Sequence, residues 1–96
     1  MSSQKESWVY MIRCGDNSLY TGWTDNLKKR VEAHRCGKGA KYTKAKKFVE
    51  LAWTECQPDP SRSAGQKREA EIKALSKREK EKLAAEWKAK IKIEQE

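Results

Sequence analysis

Three consecutive stretches decide the fold class: Trp8-Val9-Tyr10-Met11-Ile12-Arg13-Cys14, then Gly15-Asp16-Asn17-Ser18, then Leu19-Tyr20-Thr21-Gly22-Trp23. The first is rich in β-branched and aromatic residues and too short for a helical repeat, so it predicts a buried strand. Glycine, aspartate, asparagine and serine in succession are turn chemistry. The third stretch therefore predicts the returning arm of a hairpin. Side chains alternate along a strand, which places Trp8, Tyr10, Ile12 and Cys14 on one face of the first arm and Tyr20 and Gly22 on one face of the second. The register of the hairpin stays open, and with it whether Tyr10 and Tyr20 face each other.

Downstream of the hairpin, Thr24-Asp25 offers a helix N-cap, and Leu27, Val31 and His34 recur at helical spacing. Gly37 predicts the end of that helix. The stretch Gly37 to Lys44 reads as a basic loop or a short irregular helix. Phe48 to Cys56 predicts a third strand, with Val49, Leu51 and Trp53 on one side and Glu50 and Thr54 on the other. Pro58-Asp59-Pro60 breaks the chain. A helix is predicted from about Ser61 to Leu75, and Ser76-x-x-Glu79 is a capping box that starts another. In that last helix Leu83, Trp87 and Ile91 form one apolar stripe, read as core packing. The expected architecture is α/β: a small three-stranded sheet, mixed or antiparallel, flanked by helices in the order β-β-α-β-α-α.

A chain of 96 residues with 36% hydrophobic residues supports one domain with a small core. Four Trp, three Tyr and one Phe argue against disorder even though 38% of the residues are charged. The longest apolar run, Trp8 to Ile12, is too short to span a membrane. Residues 1–7 are polar and carry no hydrophobic signal segment, so secretion is not expected. Three cysteines, Cys14, Cys36 and Cys56, form no CxxC pair, which fits a reducing cytoplasm better than a disulfide framework. With His34 they offer four zinc-ligand types, at a spacing that matches no common zinc pattern.

The net charge of +8 is unevenly spread. Residues 26–47 hold nine Lys/Arg against one acid, whereas residues 48–60 hold three acids and no Lys/Arg. A focused basic segment points to a polyanion, nucleic acid by default, and Tyr42 and Phe48 interleave with it. Lys28, Lys29, Lys38, Lys41, Lys44 and Lys46 are the expected nucleic-acid contacts. No phosphate-cradling glycine loop, Ser/His/Asp arrangement or HExxH is present. What remains for chemistry is two strand tyrosines, a helix carrying Arg30 and His34 on one face, and a later helix with Glu69 and Glu71.

Trp8-Val9-Tyr10, ten residues later Tyr20-Thr21-Gly22, and then Asn26 to Arg30 together resemble the GIY-YIG endonuclease superfamily. Glu69 in Ala64-Gly65-Gln66-Lys67-Arg68-Glu69 is similar to that family's metal-binding glutamate. The block Gly37 to Thr43 resembles the small single-domain bacterial subfamily called YhbQ-like. The resemblance spans roughly residues 8–82, leaving residues 1–7 as a polar tail and residues 83–96 as a helical extension. Val9 and Trp8 depart from the first family motif, Thr21 departs from the second, and Trp23 stands where a lysine often follows.

The resemblance implies a divalent-metal-dependent DNA endonuclease, structure-selective, with DNA repair or recombination as its setting. Glu69 would hold Mg²⁺ or Mn²⁺, as a hard carboxylate suits a hard ion. Arg30 would pair with the scissile phosphate, and His34 would orient a phosphate or water. Tyr10 is the first choice for general base, with Tyr20 the alternative or its hydrogen-bonding partner. Branched, nicked or single-stranded DNA is the expected substrate, because no separate sequence-reading domain is present. A protein partner could supply substrate choice. The alternative reading is a non-catalytic nucleic-acid-binding protein on the same scaffold.

Overall fold

The computed structural model describes residues 6–95. Seven elements succeed one another: β1 (Trp8–Cys14), β2 (Leu19–Thr24), α1 (Leu27–Arg35), α2 (Lys41–Lys46), β3 (Phe48–Cys56), α3 (Arg62–Lys73) and α4 (Lys77–Gln95). The sheet order is β2-β1-β3 and both pairings are antiparallel. This is the expected order, with the basic stretch after Gly37 taking its short-helix alternative as α2.

β1 is the central strand, and its alternation sorts the core into two layers. Val9 and Met11 join Trp53, Ile72 and Ala84, with Trp23, Leu83 and Trp87 packed around them. Tyr10, Ile12 and Cys14 join Leu27, Phe48, Leu51 and Tyr20. Thus α3 and α4 cover one face of the sheet, and α1 and α2 the other. Leu83 and Trp87 fill the core as the apolar stripe predicts, and the Trp87 indole donates to Thr54 Oγ1 at 3.2 Å.

The hairpin turn closes through Cys14 N–H to the Ser18 carbonyl at 2.9 Å, and the Asp16 carboxylate accepts from the Ser18 N–H at 3.1 Å. The register pairs Tyr10 with Gly22 and Ile12 with Tyr20. Tyr10 and Tyr20 therefore lie on one face as diagonal neighbours rather than opposite each other.

Simple alternation fails in β3. Met11 pairs with Trp53 but Ile12 pairs with Leu51, and Arg13 pairs with Glu50 but Cys14 with Phe48. Ala52 and Val49 are thus extra residues, and each bulge reverses the facing of the strand residues beyond it. Leu51 packs beside Tyr10 while Trp53 packs on the opposite face, and Val49 is exposed. The expectation that the three share one side is corrected by these bulges.

The Gly37 stop and the Ser76 capping box are as read, and the N-cap of α1 is not. Asn26, rather than Thr24 or Asp25, caps α1 by accepting from the Lys29 N–H at 3.1 Å; Thr24 Oγ1 instead accepts from the Asn26 N–H. The C-terminus of α1 closes at Gly37 (φ 80°), with the Gly37 N–H donating to the His34 carbonyl and the Lys38 N–H to the Ala33 carbonyl. Ser61 caps α3, and Ser76 and Glu79 exchange bonds as a capping box at the start of α4. Arg13 grips both oxygens of Glu81, and Lys77 Nζ donates to the Asn17 carbonyl, fastening α4 to the hairpin.

We keep residues 8–82 as the proposed nuclease unit. Its far edge falls inside α4, which runs without a break to Gln95. Of the expected polar tail, residues 1–5 lie outside the described residues. Ser7 is buried, accepts from the Trp23 indole at 2.8 Å, and its carbonyl accepts from the Gln57 N–H. No helix among the described residues is long and apolar enough to cross a membrane.

Candidate active site

Tyr10 sits at the centre of β1, 2% exposed, where a long side chain would ordinarily meet a cross-strand neighbour. Its partner is Gly22, and a Cβ there would collide with the hydroxyl end of the phenol. The glycine of the second tyrosine motif therefore makes room for the tyrosine of the first. The phenol reaches across to α1, and its oxygen lies 2.8 Å from His34 Nε2.

His34 occupies the last turn of α1 and is 1% exposed. The Tyr10 and Tyr20 rings both lean on it, at centroid distances of 5.5 and 5.4 Å. Its other nitrogen, Nδ1, lies 2.8 Å from Thr43 Oγ1 on α2. Gly39 passes so close to the ring that a Cβ would overlap it. Tyr20 is half-buried and stacks on Tyr42 (5.6 Å, 28°), which is exposed and donates its hydroxyl to Ser18 Oγ at 2.7 Å.

Arg30 lies one turn before His34 and is exposed, with its guanidinium 3.5 Å from the Gly39 carbonyl. A depression of about 270 Å³, lined by Thr24, Asp25, Asn26, Lys29, Arg30 and Ala33, opens beside it. Glu69 lies on α3, half-buried, with Lys73 Nζ 2.9 Å away. Its rival Glu71 is committed elsewhere: it accepts from Arg68, which also grips Glu55. Lys28, Lys29, Lys38, Lys41, Lys44 and Lys46 lie on α1, α2 and the loop between them, and all six are exposed. Lys46 is partly engaged by Asp16 at 3.5 Å.

The electrostatics identify what these groups share. Burial pushes the Tyr10 phenol well above its ordinary range, and the neighbouring Tyr20 and Glu69 push the same way, while Arg30 pulls it down. Tyr20, Arg30 and Glu69, all singled out by sequence, therefore lie within electrostatic reach of one hydroxyl. Burial outweighs Arg30, so at neutral pH Tyr10 keeps its proton. Thr43 was missed by sequence reasoning. A threonine in a basic block carries no signal of its own, and its contact exists only once the segment from Gly37 folds over His34.

The family profile described as the GIY-YIG catalytic domain matches residues 6–83. The chain belongs to the GIY-YIG family. It is 47% identical over 81 residues to a UPF0213 protein of Natronomonas pharaonis, covering 84% of this chain and 93% of that one. A UPF0213 protein of Staphylococcus haemolyticus is 46% identical over 79 residues, covering 82% and 94%. The solution NMR structure of a UPF0213 protein from Bacillus halodurans superposes with a TM-score of 0.51 at 40% identity, covering 83% of each chain. GIY-YIG membership implies hydrolysis of the endonuclease type on a nucleic-acid substrate.

One consequence of the site can be measured without any substrate. Burial, then the Arg30 charge, hold the His34 imidazole below its ordinary pKa of 6.5 in the folded chain. Between that lower value and 6.5 the unfolded chain takes up a proton that the folded chain refuses, so stability falls as pH falls there. His34 is the single histidine, and Glu81, held down to about 2 by Arg13, titrates lower. Urea unfolding followed from about pH 8 to about pH 5.5 should show a falling midpoint below neutrality. A flat midpoint across that window would contradict the buried, neutral imidazole.

Proposed function

We propose that the protein is a divalent-metal-dependent, structure-selective DNA endonuclease of the cytoplasm, acting on branched, nicked or single-stranded DNA in repair or recombination. The observation that carries this reading is the buried Tyr10–His34 hydrogen bond, with the Tyr20 ring packed on the same imidazole and the charges of Arg30 and Glu69 within electrostatic reach of the phenol. A protein partner for substrate choice belongs to the same proposal.

Arg30 pairs with the scissile phosphate, for which a planar, always-charged fork is well shaped. Tyr10 takes the proton of the attacking water while its own passes to His34 Nε2, leaving a nucleophilic oxygen and an imidazolium. Tyr20 is the alternative base, or orders the same water. Mg²⁺ or Mn²⁺ would be held by Glu69. Among the described residues no three His, Cys, Asp or Glu side chains gather into a cage. A single half-buried carboxylate suits an ion that keeps its waters and shares substrate phosphates. When bound, such an ion supplies charge neutralisation at the phosphorus.

Incubation with a panel of branched, nicked, single-stranded and duplex DNAs, with Mg²⁺, Mn²⁺ or chelator, tests this. Cleavage that needs the metal and favours non-duplex substrates is the expected result. Binding without cleavage under either metal would assign the chain to non-catalytic nucleic-acid binding.

DNA affinity should fall steeply with salt. If about four to six phosphates are contacted, the log–log slope is about −4 to −5 on duplex. Neutralising Lys38, Lys41, Lys44 and Lys46 together should flatten it by up to about 3 to 4. An unchanged slope would place the binding face outside residues 26–47.

A further inference from the structure

We infer that Thr43 is a positioning residue that sets the tautomer of His34, holding the proton on Nδ1 and leaving Nε2 bare toward Tyr10. The proton bookkeeping carries this. A threonine hydroxyl has one proton to give and two lone pairs to offer. Thr43 Oγ1 gives its proton to the Ala40 carbonyl at 3.2 Å, the first turn of its own helix. Toward His34 Nδ1, 2.8 Å away, it can then only accept, so Nδ1 carries the hydrogen.

Tyr10, at the other end of the ring, favours the same tautomer without fixing it alone. With Nε2 bare, the Tyr10 hydroxyl donates to it at 2.8 Å and every proton in the chain is used. With the proton on Nε2 instead, the Tyr10 O–H has no acceptor among the described residues, at a site 2% exposed. An unpaired donor at such a site carries its full desolvation penalty. Thr43 is itself 1% exposed, and Gly39 presses on the imidazole, so ring and hydroxyl have little freedom to rearrange. Thr43 thus acts on Tyr10 through His34, with no hydrogen bond of its own to the phenol. A histidine locked in the wrong tautomer cannot accept a proton at the required atom. The effect of Thr43 on cleavage rests on the nuclease reading above; its effect on the tautomer does not.

The test is long-range ¹H–¹⁵N NMR of the ¹⁵N-labelled full chain without DNA, above the imidazole's titration. A single histidine makes the assignment unambiguous. Wild type should show a protonated Nδ1 and an unprotonated Nε2. Thr43→Val, which keeps shape and removes the hydroxyl, should shift the ring toward the Nε2–H form, while Thr43→Ser should restore the wild-type pattern. In single-turnover cleavage Thr43→Val should lose roughly tenfold or more in rate at unchanged DNA affinity, and Thr43→Ser should recover it. An Nε2–H tautomer in wild type, or an unchanged tautomer in Thr43→Val, overturns the inference. Should Thr43→Val fail to fold, the wild-type and Thr43→Ser spectra still decide it. A wild-type protein that cleaves nothing would sink the nuclease reading and leave the tautomer result standing.

Discussion

Glu69→Gln should lower metal-dependent cleavage by roughly 10²- to 10³-fold, because charge stabilisation by a bound ion is worth several kcal/mol and each ~1.4 kcal/mol is tenfold. The substitution keeps the side chain's shape and removes only its charge, so the fold should survive. In the structure Glu69 touches Lys73 in an i,i+4 pair whose lysine is exposed, and such pairs contribute about 0.5 kcal/mol or less. Thermal unfolding should therefore barely move while cleavage collapses, and excess Mg²⁺ should restore part of the loss. Glu71→Gln is the matched control. Its carboxylate is spent on Arg68 at 3.0 Å, outside the group that acts on Tyr10, so cleavage should persist. A dead Glu71→Gln beside an active Glu69→Gln would move the metal role to the other carboxylate.

Tyr10→Phe should reduce single-turnover cleavage by roughly 10²-fold or more, the usual scale for a lost general base. The change removes one hydroxyl and almost no volume. It also leaves His34 Nε2 without its partner in a buried place, which costs about 1–3 kcal/mol of stability. DNA affinity should hold, because the lysines of α1 and α2 are untouched. Tyr20→Phe should impair cleavage less, since the Tyr10–His34–Thr43 chain survives it. The two tyrosines differ in a way that makes the comparison decisive: Tyr10 is buried and bonded to His34, whereas Tyr20 is half-buried and stacked on exposed Tyr42. An active Tyr10→Phe beside a dead Tyr20→Phe would transfer the base role to Tyr20. Full activity in both would return the tyrosines to core packing and end the mechanism.

The residues of the proposed site stand out in the sequence one by one, but not as an arrangement. Tyr10, Tyr20, Arg30, His34 and Glu69 stand out through an ordered motif set, and none of their contacts is contained in that order. Tyr10 and His34 are separated by 24 positions and His34 and Thr43 by nine, so their bonds depend on how α1 and the loop after it close over the sheet. The basic segment was visible because charge is a property of composition. Its delivery onto the site side of the sheet was not.

By itself the sequence determined the hairpin, the order of strands and helices, the capping box at Ser76, and the glycine stop after α1. Each of these is settled by residues within a few positions of one another, through strand alternation, turn chemistry and capping hydrogen bonds. Tertiary structure alone decided the hairpin register that sets Tyr20 across from Ile12, and the bulges at Ala52 and Val49 that send Leu51 and Trp53 to opposite faces. It also decided the pairing of Glu71 with Arg68, and the contacts that link Tyr10 through His34 to Thr43. These are contacts between elements. They form only where packing two faces of a small sheet leaves one arrangement that fills the core and gives its buried polar groups their partners.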